Sequence, residues 1–273
     1  MLELVNRERA KAGVQPLAFD RDLNEAAGRH SQWMINTDTF SHVGAGRSQP
    51  HDRMVAAGYT FTGAWASGEN IAMVSTRAPS GYADEVRLLH SNLMNSAPHR
   101  ANILSGTYRE IGIGFDVGSY KSYTGAFATQ NFARTGTKPF ITGVAFDDKD
   151  GDRFYDPGEG LGGLQVKAVG TTGAVFTTAT YGSGGYDLSV PAGTYKVTIS
   201  GPGIVAAVKT VTVSTKNVKF DVVDPVQVGA GSPVSVKASA AEGIGADEFH
   251  PRTADSNAPH GGRGLLKDTH HLA

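Results

Sequence analysis

The chain has 273 residues, with 25 basic and 26 acidic side chains, a formal net charge of −1 at pH 7 and no cysteine. The charge balance argues against a general nucleic-acid binder, which needs a basic surface. The lack of cysteine excludes disulfides, cysteine-ligated metals and a thiol nucleophile. No apolar run approaches the roughly 20 residues of a transmembrane segment, and we expect no signal peptide, because Met1 leads directly into an amphipathic pattern. At about 150 residues per domain, the length predicts two domains.

Residues 1–137 alternate helix and strand signals. Apolar residues that recur about every 3.6 positions predict three helices: one over about residues 4–13, one that begins after a cap at Asp20 or Asp22, and one over about residues 84–94. Ser96 is predicted to cap a further helical turn. The period then changes to two, which predicts strands over 111–117 and 124–133 joined by a turn at 118–121. Helices that cover one antiparallel sheet form an α/β/α sandwich, so the predicted fold class is α+β.

Residues 138–225 are predicted to be all-β. Seven short segments are each bounded by Gly, Pro or Asp: 140–146, 165–169, 175–181, 186–190, 195–200, 209–213 and 218–223. Strands at this spacing predict a Greek-key β-sandwich. Residues 226–273 contain one aromatic residue, Phe249, and too few apolar residues to offset their ordering entropy, so we predict a disordered tail.

Two imidazoles and a carboxylate in the first segment are candidate ligands of a divalent metal. His42, Glu69 and His99 together would leave one coordination position open for water. Their separations of 27 and 30 residues match no short metal motif, and the alternative is that each histidine caps a turn or bonds a backbone carbonyl. His30 lies on the apolar face of its helix and is interpreted as a buried structural histidine, and Asn70 is expected to secure a turn.

A set of ordered motifs in residues 2–134 resembles the CAP superfamily, also called SCP-like, in its bacterial branch. The superfamily comprises cysteine-rich secretory proteins, antigen 5 and pathogenesis-related proteins. The motifs are LVNRERAKAGVQPL at 4–17, AAGRHS at 26–31, FSH at 40–42, GENIA at 68–72, NSAPHRANIL at 95–104, YREIGIG at 108–114 and TQNF at 129–132. The resemblance implies an α/β/α sandwich with a large central cleft. In eukaryotic members, two histidines and two glutamates line this cleft and can hold a divalent metal, often zinc.

The resemblance assigns residues of this chain to that cleft. His42 and His99 match the two histidines and Glu69 matches the first glutamate, whereas Ser96 stands where the second glutamate is expected. The implied ligand-binding cleft is therefore His42, Glu69, Ser96 and His99, with zinc or a similar divalent metal on His42, Glu69 and His99. Because a serine hydroxyl is a weak metal ligand and a poor general base, the pair of carboxylates for acid–base chemistry is incomplete.

An acidic loop in the second segment has the register of a twelve-residue calcium loop. Its predicted ligands are Asp148, Asp150, Asp152, the backbone carbonyl of Phe154, Asp156 and Glu159. Six of the nine acidic residues of the segment lie between Asp147 and Glu159, and such crowding is self-repelling without a cation. Position 6 of the loop, normally Gly, is Arg153, which predicts weaker binding or a different bend. The alternative is an exposed acidic turn.

Strands rather than helices flank this loop in the predicted order. With its Pro-Gly-Glu ending, the segment over 140–223 resembles the calcium-binding B-type repeats of bacterial surface adhesins, of the SdrD B kind, and related prealbumin-like or Cna-B-like modules. That resemblance implies a rigid spacer or adhesive module that calcium stiffens.

Three functions follow from these observations. We expect an extracellular or cell-envelope protein whose cleft binds lipid, cell-wall material or another extracellular ligand, carried on a calcium-stabilised spacer. The alternative is a metal-dependent hydrolase or peptidase in which His42 and His99 hold zinc and Glu69 is the base. A third possibility is a purely structural adhesin. The sequence favours binding over catalysis and leaves the choice open.

Overall fold

The computed structural model describes residues 1–77 and 81–228. The predicted tail lies, from residue 229 onward, outside the described residues. Within the described ranges no helix combines the length and the apolar character needed to cross a membrane. The molecule mixes helices and sheets, as the α+β prediction requires.

The described part of the first half contains five α-helices: α1 Leu2–Lys11, α2 Arg21–Asn36, α3 Pro50–Ala56, α4 Ala83–Asn95 and α5 Ala97–Ile103. Helix α2 begins where the Asp20 carboxylate accepts a hydrogen bond from the backbone N–H of Leu23, which satisfies one unpaired donor of the first turn. The predicted helices are confirmed, whereas α3 is an additional helix that sequence periodicity did not indicate.

Four strands form the sheet of this half: β1 Ala18–Phe19, β2 Ala66–Ser75, β3 Glu110–Tyr120 and β4 Tyr123–Arg134, in the order β1-β3-β4-β2. The turn between β3 and β4 is tighter than predicted, because Tyr120 pairs with Tyr123. Strand β2 was not predicted, and it corrects the expectation that Asn70 secures a turn: Asn70 lies within the strand and is fully buried.

Helices cover both faces of this sheet. Gly112 and Gly114 allow α2 to pack directly on β3, since a Cβ atom at either position would lie 2.0–2.3 Å from backbone atoms of Leu23 or Ala27. On the opposite face, apolar side chains of α1, α4 and α5 pack against the alternate residues of β3, among them Ile111. The period-two pattern of β3 therefore separates two different packing surfaces.

Eight strands follow: β5 Phe140–Phe146, β6 Gln165–Gly170, β7 Val175–Ala179, β8 Gly185–Ser189, β9 Gly193–Ser200, β10 Ala207–Val213, β11 Val218–Lys219 and β12 Val222–Val223. One sheet has the order β10-β9-β6-β7, and the other is centred on β5, which pairs with β8, β11 and β12. A single apolar cluster contains residues of both sheets, including Ile141 and Val197. The Greek-key sandwich and the resemblance to adhesin modules stay predictions.

The two halves meet at the β1 edge of the first sheet. Asn217 is nearly fully buried there, and its side-chain amide donates to the backbone carbonyls of Pro16 (3.0 Å) and Arg109 (2.7 Å). The ring of Tyr181 packs edge-on against Phe19, with 5.6 Å between the ring centroids. Because β2 is the opposite edge of the same sheet, residues on β2 lie away from this junction.

Candidate functional site

A buried carboxylate, Glu69 on β2, is the centre of the candidate site. Its side chain is only 1% exposed. One oxygen, Oε1, accepts a hydrogen bond from His42 Nδ1 at 2.8 Å, and the other, Oε2, accepts one from Arg53 Nη2 at 2.7 Å. Burying an unpaired carboxylate is costly, and the guanidinium of Arg53 supplies the compensating positive charge. His42, Arg53 and Glu69 are in direct contact, and we call these three residues, together with His99 and Ser96 that the resemblance assigns to the same cleft, the His42 site.

His42 lies on the loop between α2 and α3, and this loop is held at both ends. His30, on α2, donates from Nε2 to the carbonyl of Ser41 at 2.9 Å. Arg53, on α3, donates from Nη1 to the carbonyl of Ser48 at 2.8 Å. His30 is 1% exposed, so its predicted burial is confirmed, and its Nε2 lies 3.9 Å from Glu69 Oε1. The loop position of His42 is therefore set by side chains from the two flanking helices.

The contact with Glu69 determines which nitrogen of His42 carries a proton. An ionised carboxylate only accepts hydrogen bonds, so Nδ1 of His42 must be the donor. In the neutral imidazole the proton-free nitrogen is then Nε2. The His42 side chain is 48% exposed. The Nδ1 edge of the ring is thus fixed by Glu69, whereas the Nε2 edge can accept a hydrogen bond or bind a ligand.

His99 lies on α5, which is fastened to β2. Its backbone carbonyl accepts a hydrogen bond from Asn70 Nδ2 at 3.1 Å, and Asn102 donates to Asn70 Oδ1 at 2.9 Å. Burial and the neighbouring His42 both lower the pKa of His99, so its imidazole favours the neutral form. Ser96, half-buried, is the residue that precedes α5.

The predicted site residues come together only in part. His42 and Glu69 are in direct contact, and His99 lies close enough for His42 to affect its pKa. In the chain as far as the structure describes it, the one group of three His, Asp or Glu ligand atoms within 4.8 Å of one another is Asp148, Asp150 and Asp152. A groove of about 360 Å³ lies beside α5 but is lined by none of the predicted cleft residues; its lining is Met94, Asn95, Ala97, Arg100, Ala101 and Leu104.

Sequence reasoning missed two residues that shape the site. Arg53 has an ordinary position in a short helix, and nothing in its local sequence signals a contact with a carboxylate 16 residues away. Gly44 is the second, since a Cβ atom there would lie 3.0 Å from Arg53 Nη1 and 3.2 Å from His30 Nδ1. Only a glycine leaves room for both side chains without a displacement.

The donor set does not fit a divalent ion ligated by Glu69. The charge of Glu69 is already balanced by Arg53 at 2.7 Å, and Ser96 provides no second carboxylate. A metal on His42, Glu69 and His99 would therefore add two positive charges to a pair that is neutral. The zinc prediction for these three residues stays a prediction.

The acidic loop, residues 148–159, is shaped by hydrogen bonds between near neighbours. Asp148 accepts from the backbone N–H groups of Gly151 at 3.0 Å and Arg153 at 2.8 Å. Asp152 accepts from the N–H of Phe154 at 2.6 Å. Arg153, at the position where glycine was expected, adopts a φ of +60°. These short-range bonds turn the chain so that three aspartates face one another.

The remaining predicted ligands of the acidic loop have other contacts. Glu159 is buried and accepts from the N–H groups of Lys149 and Asp156. Asp156 also pairs with Arg87 on α4 at 2.7 Å. The ring of Phe154 lies 4.2 Å from the Arg7 guanidinium. The loop therefore contacts the first half of the molecule through the residues that are not in the aspartate group.

Comparison with known proteins identifies the first half of the chain. The model of the cysteine-rich secretory protein family, CAP, matches residues 2–132. These residues form a CAP domain. The resemblance seen in the ordered motifs is confirmed for this part of the chain.

Two relatives of the CAP domain are proteins of Bacillus subtilis. The uncharacterized protein YkwD of Bacillus subtilis is 34% identical over 115 residues, which is 42% of this chain and 40% of YkwD. The uncharacterized membrane protein YlbC of the same organism is 31% identical over 134 residues, which is 49% of this chain and 33% of YlbC. The chain thus spans less than half the length of either relative.

Comparison with solved structures finds a match to an extracellular protein containing a SCP domain from Bacillus anthracis. It is 28% identical, with a TM-score of 0.39, and the alignment covers 49% of this chain and 39% of that chain.

Proposed function

We propose that the CAP domain binds lipid or cell-wall material at the His42 site and acts outside the cell or in the cell envelope. The observation that carries this proposal is the His42 ring, whose Nδ1 is held by the buried Glu69 while half of the side chain is exposed. A polar group that is oriented in advance loses little entropy when it binds a ligand. His42 is therefore the contact residue, and Glu69 and Arg53 position it.

The same contacts favour binding over hydrolysis. A general base must be in contact with water, and the Glu69 side chain is 1% exposed, with both oxygens bonded to protein donors. Ser41 is not part of a nucleophile motif of the G-x-S-x-G type.

Binding to purified cell wall and to phospholipid vesicles tests the proposal. The wild-type chain is expected to sediment with one of the two materials, and His42→Ala to reduce the bound fraction at least tenfold. Arg29→Ala is the control, since it removes a charged side chain that is 65% exposed on α2. No binding to either material, or equal binding by His42→Ala, overturns the proposal. Turnover of peptide or ester libraries that His42→Ala abolishes would replace it with hydrolysis.

We further propose that the acidic loop binds calcium and stiffens the second half as a spacer. Support comes from the three aspartates whose ligand oxygens lie within 4.8 Å of one another, because calcium prefers several oxygen ligands. The carbonyl of Phe154 and the carboxylates of Asp156 and Glu159 complete the proposed set. Millimolar calcium outside cells suits such an exposed site. Calorimetric titration with Ca²⁺ is expected to show one site that Asp150→Asn removes, and absence of binding in the wild type overturns this part.

A further inference from the structure

The most unusual feature of the His42 site is a guanidinium inside it. Arg53 is 11% exposed, and it donates to Glu69, which is 1% exposed. We propose that Arg53 substitutes for a metal ion in this CAP domain: it neutralises Glu69 and holds the His42 loop, so that the site operates without a divalent cation. This inference extends the proposed function, because it concerns the same residues, but its test is metal binding and does not require the ligand.

Charge balance is the first support for this inference. Glu69 and Arg53 form a neutral pair, and among the residues of the His42 site Glu69 is the only acid. Ser96 is uncharged, and the two imidazoles add no negative charge. A divalent cation would remain uncompensated next to a guanidinium that is shielded from water, and repulsion between like charges is strongest where water is excluded.

The second support is that Arg53 is held in place independently of Glu69. Its other terminal nitrogen, Nη1, donates to the carbonyl of Ser48 at 2.8 Å. The same nitrogen lies 3.0 Å from the point where a Cβ atom of residue 44 would be, a position that Gly44 leaves empty. Moving Arg53 to admit a metal would break both its bonds and free the Ser48 end of the loop that carries His42.

The third support is the ring orientation of His42. A metal that binds Glu69 and His42 together needs both groups to turn lone pairs toward it. Instead Nδ1 of His42 donates its proton to Glu69 at 2.8 Å. Glu69 therefore acts on His42 as an orienting carboxylate and not as a second ligand of the same ion, and Nε2 is the nitrogen of this ring that an ion could reach.

Titration with Co²⁺, read from its visible absorption, and calorimetry with Zn²⁺ test the inference in the full-length chain. Four proteins are compared: wild type, Arg53→Met, Arg53→Met with Ser96→Glu, and Arg47→Met. Arg47 is an exposed arginine on the same loop, so its substitution controls for the loss of one positive charge. Measurements are made with saturating calcium so that the acidic loop does not contribute.

We expect the wild type and Arg47→Met to bind both metals weakly and without a tetrahedral Co²⁺ spectrum. The double variant, Arg53→Met with Ser96→Glu, lacks the guanidinium and has a second carboxylate. It should bind Zn²⁺ at least tenfold more tightly than the wild type and give the tetrahedral Co²⁺ spectrum. Adding His42→Ala to this double variant should abolish the increase in Zn²⁺ affinity. Tight wild-type Zn²⁺ binding that Arg53→Met leaves unchanged or weakens would overturn the inference.

Circular dichroism establishes whether the Arg53 variants fold. If they do not, wild type and Glu69→Gln decide the question. Weak Zn²⁺ binding by both proteins supports the inference, because the site then holds no ion and Glu69 is not a ligand. Tight Zn²⁺ binding by the wild type, or a tenfold loss of affinity in Glu69→Gln, contradicts it. Failure of the ligand-binding experiment with His42→Ala would remove the proposed function while leaving this result intact.

Discussion

The His42 site and the acidic loop both contain carboxylates that were predicted to bind cations, but they balance the charge of those carboxylates differently. In the His42 site a single buried acid, Glu69, faces a guanidinium at 2.7 Å. In the acidic loop Asp148, Asp150 and Asp152 face one another. Acidic residues alone therefore do not indicate a metal site, because an arginine side chain such as Arg53 can balance a buried carboxylate in place of a metal ion.

The two sites also differ in how far apart their partners are along the chain. The hydrogen bonds that bring the three aspartates of the acidic loop together join residues two to five positions apart. The partners of Glu69 are 16 and 27 positions away, on an added helix and on a loop. Local sequence therefore shapes the aspartate group, whereas the His42 site depends on the packing of α2, α3 and β2.

The largest expected effect is the loss of the Glu69 carboxylate. Glu69→Ala leaves the Arg53 charge buried without its partner, which costs about 3–5 kcal/mol when one member of a buried ion pair is removed. Urea unfolding measures the change. Glu25→Ala is the control, since Glu25 is 48% exposed and pairs with Arg29 on the helix surface, where such pairs contribute about 0–1 kcal/mol. Equal losses of unfolding free energy in Glu69→Ala and Glu25→Ala would contradict the claim that Glu69 and Arg53 form a stabilising buried ion pair.

Glu110 is a second buried acid, and its hydrogen-bond partner is a tyrosine hydroxyl rather than a guanidinium. Glu110 accepts a hydrogen bond from the Tyr59 hydroxyl at 2.7 Å, and burial raises its pKa to about 7. Burial likewise raises the pKa of Asp187 to about 6. A carboxyl group with a raised pKa in the folded state stabilises it most when protonated, so stability should fall as the pH rises from about 4.5 to about 7.

Unfolding free energies between pH 4 and pH 8 check this expectation. Glu110→Gln should remove about 2–3 kcal/mol of the decrease, and Glu25→Gln, on the surface, should leave the profile unchanged. A profile of Glu110→Gln that matches the wild type would show that Glu110 does not titrate in this range.

Calcium should stabilise the acidic loop and leave the His42 site unaffected. At a free concentration 100 times its dissociation constant, a ligand of the native state adds about 2.7 kcal/mol. Thermal unfolding with calcium or with chelator measures the effect, which Asp150→Asn should abolish. Asp84→Asn, an acid 43% exposed outside the loop, should retain the full response to calcium. Retention of the response by Asp150→Asn would contradict the proposed ligand set.

The smallest expected loss of stability comes from adding a methyl group at Gly44, next to the side chains of Arg53 and His30. Gly44→Ala places a Cβ atom 3.0 Å from Arg53 Nη1, and because the end of an arginine side chain can shift, we expect a loss of about 1 kcal/mol. The same shift should weaken ligand binding, because the His42 loop moves with Arg53. Gly28→Ala is the control, since nothing lies within 4 Å of the added atom. Lower stability of Gly28→Ala than of Gly44→Ala would contradict this explanation.

Most of the CAP domain fold could be predicted from the sequence because its periodicity is strong. The alternation in β3 and the helical repeat of α2 each identify one buried face. Strand β2 was missed, since its residues 69–72 are buried without alternation, and a continuously buried strand has no period-two signal. The seven predicted strands of the second half match the observed ones within a few residues, except that the last is divided into β11 and β12.

The candidate site could be predicted only as a set of residue types. His42, Glu69 and His99 were identified from motifs, yet no pattern in the sequence connects Arg53 to Glu69, because the contact depends on where α3 packs. The predicted metal ligands and the observed orienting pair share His42 and Glu69. The position of the guanidinium, the single carboxylate and the orientation of the His42 ring separate the two interpretations.

By itself the sequence determined the strand and helix pattern, the CAP motifs and the acidic loop, since each of these depends on residues that are near neighbours along the chain. The tertiary fold set which cation pairs with Glu69 and how the His42 ring is oriented. The physical reason is that burial makes an acid require a partner, and the nearest available partner is a residue that folding, not sequence proximity, brings within 2.7 Å.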